Sequence, residues 1–280
     1  MTGIIVGIDG SDHSQRALEW AVHEAAIRDV PLTVIAVYRA VAGLWGGPML
    51  YPQDTGLSAQ ARKDAEDATD KAIANAGGVR PASVTVREIC GIPAEELVHA
   101  SKDADMVVVG SRGRGGMSGL LLGSVGLQVA AHAPGRAVVV RGHWRRNGYI
   151  PGPVVLGADG SACSRAAAAF AFEEAELRHA PLLAVCALAD TPGCLGGADR
   201  LQDGFENLIS QFEKEHPEVT VLRQVSPGSP RPALLEAAHR AQMLVVGARG
   251  LGGIRGMMLG SVSHAVVYHA PCPVAVVHGS

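Results

Sequence analysis

The 280-residue chain has no strong charge of either sign, no long apolar run and no closely paired cysteines, and each absence removes a class of function. Its 24 basic and 27 acidic residues give a formal net charge of -3. That balance supplies no broad positive field to hold a phosphate backbone, so nucleic acid is not expected as a partner. No apolar run reaches the roughly 18 residues that span a bilayer, and no basic stretch precedes the apolar start of the chain. Neither secretion nor membrane insertion is expected. The five cysteines, Cys90, Cys163, Cys186, Cys194 and Cys272, are odd in number and contain no C-x-x-C pair. This argues against a disulfide framework or a zinc knuckle and for a reducing cytoplasm. Only four of the basic residues are lysine, which we attribute to coding bias.

What is present is a hydrophobic, glycine-rich composition. Hydrophobic residues make up 48% and charged residues 18%, and mean hydropathy is +0.18. These values exclude intrinsic disorder. The length suits one large domain or two ordinary ones. Glycine, at 35 residues, exceeds the usual ~7% and needs a specific explanation.

The chain repeats itself. Ile4 to Ser11 returns as Val154 to Ser161, and Pro31-Leu32 as Pro181-Leu182, both at an offset of 150. Met106 to Gly113 returns as Met243 to Gly250 at an offset of 137, so the first half carries 13 extra residues in between. They fall in segment 39–57, which holds Trp45, Met49 and Tyr51 and has the glycine and proline content of a loop insertion. It would either serve a partner or cover a pocket.

Each half alternates short, β-branched apolar runs with segments of helical spacing. In the first half, strands are expected at Ile4–Ile8, Leu32–Val37, Val84–Ile89, Met106–Val109 and Ala137–Val140. Helices are expected around Ala17–Ala26, from about Ser58, over Pro93–Ala100 and over Ser124–His132. Alternation of this kind predicts an α/β fold: two tandem open parallel five-stranded sheets with helices on both faces. The expected domains are 1–142 and 153–280, joined by a linker at 143–152. Each half ends in an apolar strand that would invite pairing, so an intrachain pseudo-dimer is expected. Association of two chains is left open.

The glycines concentrate after the fourth strand of each half. Gly110, Gly113, Gly123 and Ser124 are spaced as Gly247, Gly250, Gly260 and Ser261, both fitting G-x2-G-x9-G-S. A glycine there lets the backbone approach a ligand closely, and a helix opening at Gly-Ser offers free amides and a positive dipole end to phosphate. One such loop is ordinary in α/β proteins; two with identical internal spacing point to phosphate binding. There is no Gly-Lys pair, and the first strand runs into Asp-Gly-Ser, so neither a P-loop nor a standard dinucleotide site is present.

These residues resemble the universal stress protein family in its tandem form. The likeness covers nearly the whole chain: the opening Val6-Gly7-Ile8-Asp9-Gly10-Ser11, Gly91-Ile92-Pro93, Val107 to Gly113, and His269 to Val277. The resemblance implies a Rossmann-like fold and ATP, alone or with Mg2+, bound at the sheet edge with slow or no hydrolysis. It also implies a role as a sensor or switch in stress or dormancy. By position it places Asp9 and Asp159 near the ribose, with a helix cap as their alternative use. Val37 and Ala187 fall near the adenine. Gly110, Arg112, Gly113, Gly123, Ser124 and Val125, with Gly247, Arg249, Gly250, Gly260, Ser261 and Val262, would line ribose and phosphates. Arg112 and Arg249 would serve equally well as solvated charges.

The halves differ at Gly126, where the second has a hydroxyl at Ser263, and at Pro134-Gly135-Arg136, where it has Pro271-Cys272-Pro273. The two sites are therefore expected to differ in affinity. No H-E-x-x-H or G-x-S-x-G occurs. His132 and His269 are expected to serve helix ends, Cys272 to be packed, and Glu95-Glu96 and Glu173-Glu174 to lie on solvated faces. Two other classes stay open: a slow ATP hydrolase or phosphotransferase, and an interaction scaffold whose pockets are empty or take cyclic AMP.

Overall fold

The protein is described from a computed structural model, which covers residues 3–39, 56–114, 122–142, 152–188, 197–251 and 258–279. Most of the inserted segment 39–57, with Trp45, Met49 and Tyr51, and most of the expected linker 143–152 lie outside these residues, as does Cys194.

The first half runs β1 (Ile4–Ile8), α1 (Asp12–Ile27), β2 (Leu32–Tyr38), α2 (Leu57–Asn75), β3 (Val84–Cys90), α3 (Pro93–Ala100), β4 (Met106–Gly110), α4 (Ser124–His132) and β5 (Arg136–Val140). The second runs β6 (Val154–Gly157), α5 (Ala162–Leu177), β7 (Leu182–Leu188), α6 (Gly197–Glu215), β8 (Val221–Pro227), α7 (Pro230–Ala238), β9 (Met243–Gly247), α8 (Ser261–His269) and β10 (Val274–Val277). All five expected strands of the first half form, with ends shifted by at most one residue.

The two sheets are one. Strand order is β3-β2-β1-β4-β5-β10-β9-β6-β7-β8, parallel within each half. At the centre β5 and β10 pair antiparallel, Val274 opposite Val139 and Val277 opposite Arg136. The edge strands that the sequence leaves exposed therefore cover each other. Residues alternate between two cores, as the pleat requires. Ile4, Val6, Val108 and Val138 face α1 and α2, whereas Ile5, Val107, Val109 and Val139 face α3 and α4. The first core continues without a break into the second half through fully buried Phe170 and Phe172, each contributing roughly 1.5–3 kcal/mol by burial. Among the described residues, no helix is long and apolar enough to cross a membrane.

One expectation fails on this seam. Glu174 does not lie on a solvated face, because the C-terminal end of α5 meets that of its repeat counterpart α1, whereas Glu173 keeps 36% of its side chain exposed. Glu174 has no exposed side-chain surface and pairs with both Arg28 and Arg178; Glu24, its counterpart, pairs with the same two arginines. Glu173 also reaches Arg28, and reaches Arg136 at 3.0 Å, while Arg136 lies over the Phe170 ring at 4.7 Å. A helical wheel drawn from one half shows neither the neighbour nor the charges it brings.

Candidate functional site

In each half, the first strand has neighbours on both sides whose chain connections leave in opposite directions. The crevice outside the carboxyl ends of such strands is where open α/β sheets bind ligands. Three residues meet there at β1 and β4: Asp9 just after β1, Gly110 at the end of β4, and Gly113 in the loop beyond. Val37 lies half-buried one strand away, near the end of β2, with Ala187 in the same position on β7.

The Asp-Gly-Ser turn organises the loop. Ser11 caps α1, its hydroxyl accepting from the Ser14 amide at 3.2 Å, and Ser161 caps α5 likewise at 3.1 Å. The capping role therefore falls to these serines and not to Asp9 and Asp159. Asp9 instead accepts the Ser11 amide at 3.0 Å on Oδ1 and the Arg114 amide at 2.7 Å on Oδ2. Asp159 accepts from Ser161 at 3.0 Å and from Leu251 at 2.9 Å. Each cap hydroxyl also donates to the loop, Ser11 to the Arg112 carbonyl at 3.4 Å and Ser161 to that of Arg249 at 3.3 Å. Partial burial works against ionising Asp9, but hydrogen bonds from Ser11 and the Arg114 amide outweigh it and hold the carboxyl below its usual range.

The glycines separate by what demands them. A Cβ at Gly110 would stand 2.6 Å from the His13 carbonyl oxygen, and one at Gly247 would stand 2.8 Å from Cys163 backbone. Close packing of the first helix of each half therefore explains that pair. At Gly113 and Gly250 a Cβ would strike the clamping carboxylates of Asp9 and Asp159, at 2.4 and 2.3 Å. Gly123 is different: its φ of -80° suits any residue, and among the described residues a Cβ would meet nothing closer than 3.5 Å. Gly260 has a similar φ of -68°, with its nearest neighbour at 3.3 Å.

Those two glycines cap α4 and α8 with no side chain, so the amides of the first helical turn are left without the oxygen that serine or aspartate would supply. Their own amides are tied back to the loop, Gly123 to Ser111 at 2.8 Å and Gly260 to Ala248 at 2.7 Å. Ser124 and Ser261 are exposed at the first helical position, Val125 and Val262 half-buried behind them. Arg112 and Arg249 are exposed beside them. The result is an electropositive helix end beside a carboxylate-braced loop in both halves, a geometry suited to anions. Loop residues 115–121 and 252–257 lie outside the described residues.

The halves differ around this frame. His13 Nδ1 lies 3.3 Å from Ser111 Oγ, and burial together with Arg112 and Arg16 lowers its pKa. The second half has Cys163 and Ala248 in those places and lacks the hydroxyl. Ser263, which the sequence suggests as an extra donor to a ligand, is buried and donates to the Gly247 carbonyl at 2.6 Å. His132 serves its own helix, contacting the Gln128 carbonyl at 2.9 Å. Cys272 is fully buried and its thiol is pushed up to about 12, which suits a packed side chain and not a nucleophile. The loop clamp itself escaped sequence reasoning, although the twice-repeated D-G-S-x-x-S at Asp9–Ser14 and Asp159–Ser164 carries its signal.

Comparison with known proteins agrees with the repeat. The profile of the universal stress protein family matches residues 1–141 and 152–278. Universal stress protein Rv2005c of Mycobacterium tuberculosis is 35% identical over 291 aligned positions, covering 99% of this chain and 97% of that protein. A universal stress protein of Mycolicibacterium smegmatis is 36% identical over 284 positions, covering 98% and 96%. Among solved structures, a universal stress protein from Archaeoglobus fulgidus superposes with a TM-score of 0.71 at 20% identity, over 100% of this chain and 99% of that one, and shares its fold. The chain belongs to the universal stress protein family, as two family domains in tandem.

Proposed function

We propose that each half binds an adenine nucleotide, ATP foremost, and that the protein acts as a nucleotide-dependent sensor or switch in cytoplasmic stress or dormancy physiology. The observation that carries this reading is Gly123 with its counterpart Gly260. At Gly123 neither backbone conformation nor packing among the described residues requires glycine, and a better helix cap would fit. A ligand lying against the helix end supplies the missing reason.

In this reading the amides at Ser124 and Val125, the Ser124 hydroxyl and Arg112 hold the phosphates. Asp9 lies toward the ribose and Val37 toward the adenine. Asp159, Ala187, Arg249, Ser261 and Val262 repeat these roles in the second half. Bound ATP supplies a change of charge and contact that a partner can sense. Hydrolysis is slow or incidental, because both oxygens of Asp9 are engaged by backbone amides and the carboxylate is poorly placed to serve as a base.

The test is to denature freshly purified protein and quantify released nucleotide per chain by chromatography. About two ATP per chain supports the reading. Absence of nucleotide, with no uptake of added ATP, overturns it in favour of a scaffold, and cyclic AMP in its place would reassign the ligand.

A further inference from the structure

The last four carbonyls of a helix have no partner within it, and what fills them is decided by the surroundings. In α4 and α8 the first of these is taken locally: Ala133 N–H donates to Val129 O at 3.0 Å and Ala270 N–H to Val266 O at 2.9 Å. The next carbonyl in each is taken by the other half. Nε2–H of His278, just beyond β10, donates to Ala130 O of α4 at 2.9 Å. The guanidinium of Arg141, just beyond β5, donates through Nη1 to Val267 O of α8. Arg141 and His278 occupy equivalent repeat positions, as do Ala130 and Val267, so this is one contact made twice across the seam.

The same strand ends are bonded to the glycine-rich loops. Val140 O accepts the Ser111 amide at 3.1 Å, and Val277 O accepts the Ala248 amide at 2.8 Å. Ser111 and Ala248 in turn accept from Gly123 and Gly260. A continuous set of bonds therefore runs from the first loop through Val140 and Arg141 to α8, whose other end opens the second site. A matching set runs from the second loop through Val277 and His278 to α4 and the first site. Each helix has nine residues and spans roughly 13 Å, so cap and candidate phosphate end sit on one short rigid element.

We infer that Arg141 and His278 are positioning residues, each for the nucleotide site of the opposite half, and that they couple the two sites. The inference rests on the nucleotide-binding reading above. Local structure shows what it takes to place them. A Cβ at Gly142 would fall 1.6 Å from Pro271 O, so only glycine, at φ +64°, lets the chain pass close enough for Arg141 to reach α8. Among the described residues, Arg141 Nε is the one buried side-chain nitrogen or oxygen without a partner. The two caps are unequal. Arg141 brings a charge to the negative end of α8, whereas burial lowers the pKa of His278 and favours a neutral ring.

The experiment uses the full chain with one site disabled at a time. Gly250→Val leaves the first site and Gly113→Val leaves the second, because each new side chain strikes the clamping aspartate. ATP affinity is then measured by isothermal titration. Arg141→Met is expected to weaken the second site by roughly three- to tenfold and leave the first unchanged, and His278→Phe is expected to do the reverse with a smaller factor. Arg141→Lys and His278→Gln, which keep a donor, should retain most of the affinity; if the apolar variants do not fold, Arg141→Gln and His278→Asn, polar but too short to reach the opposite carbonyls, take their place with the same crossed loss expected.

Hydrogen exchange, read without nucleotide, should quicken in the last turn of α8 in Arg141→Met. Weakening of a variant's own half, equal weakening of both, unchanged affinities or unchanged exchange would each overturn the coupling. If wild-type protein binds no ATP, the nucleotide reading falls and this inference with it. If ATP binds and the crossed pattern is missing, only the inference falls.

Discussion

At the scale of single residues, fold and ligand make opposite demands on the two kinds of glycine. Gly110→Ala should destabilise the protein by about 1–3 kcal/mol in urea unfolding, since its Cβ would press on backbone at His13 and Ser14. Gly123→Ser should leave stability unchanged or raise it by a few tenths of a kcal/mol, because serine is a better cap. Yet it should weaken ATP at the first site by about tenfold, roughly 1.4 kcal/mol. Parallel unfolding and titration check both, and loss of stability without loss of affinity would argue that Gly123 serves only the fold.

Asp9 gives a pH prediction with a definite sign. Its folded pKa is depressed, so the clamp is complete above the unfolded value of about 3.9 and is lost as pH falls through the folded one. Protection of the Arg114 amide from exchange should decline on that acid side in wild type. Asp9→Asn should show low protection at every pH.

At the scale of elements, most of the architecture was legible because each segment appears twice. Ile4–Ile8 and Val154–Gly157 read as buried strands from their apolar runs, and Pro93 marks the start of α3 where proline is best tolerated. Other features were not legible, for local reasons. Ser11 and Asp9 are both good caps by type, and only the path of the loop decides that the serine caps the helix while the aspartate clamps the loop. Asp29 and His179 end α1 and α5 at φ values of 51° and 49°, a conformation that normally announces itself with glycine. Glu174 looked solvated because periodicity within one helix does not report the helix beside it.

The cap assignment is itself testable. Ser11→Ala should cost about 1 kcal/mol of stability and also loosen the Arg112 carbonyl, so unfolding and ATP titration should both shift. A change in stability alone would detach the cap from the site.

At the scale of the molecule, the buried charges on α1 and α5 make the seam specific and costly to break. Arg178→Met leaves Glu24 and Glu174 short of a partner with almost no solvent contact, and should destabilise the chain by about 3–5 kcal/mol. Adding Glu24→Gln should recover part of that loss, a non-additivity that a double-mutant cycle measures directly. Additive losses would mean that the four charges do not act as a unit.

The antiparallel junction of β5 with β10 joins two homologous halves inside one polypeptide. Separate copies would find each other only as fast as their abundance allowed, and would part on dilution. A covalent connection fixes their effective concentration whatever the expression level. It also frees the seam from self-complementarity, since neither side has to fit a copy of itself. That freedom is visible where Gly135-Arg136 stands opposite the strand that follows Cys272-Pro273, and where arginine answers histidine across the two caps. Natural variation can thus retune each side in sequence while their one-to-one stoichiometry stays locked.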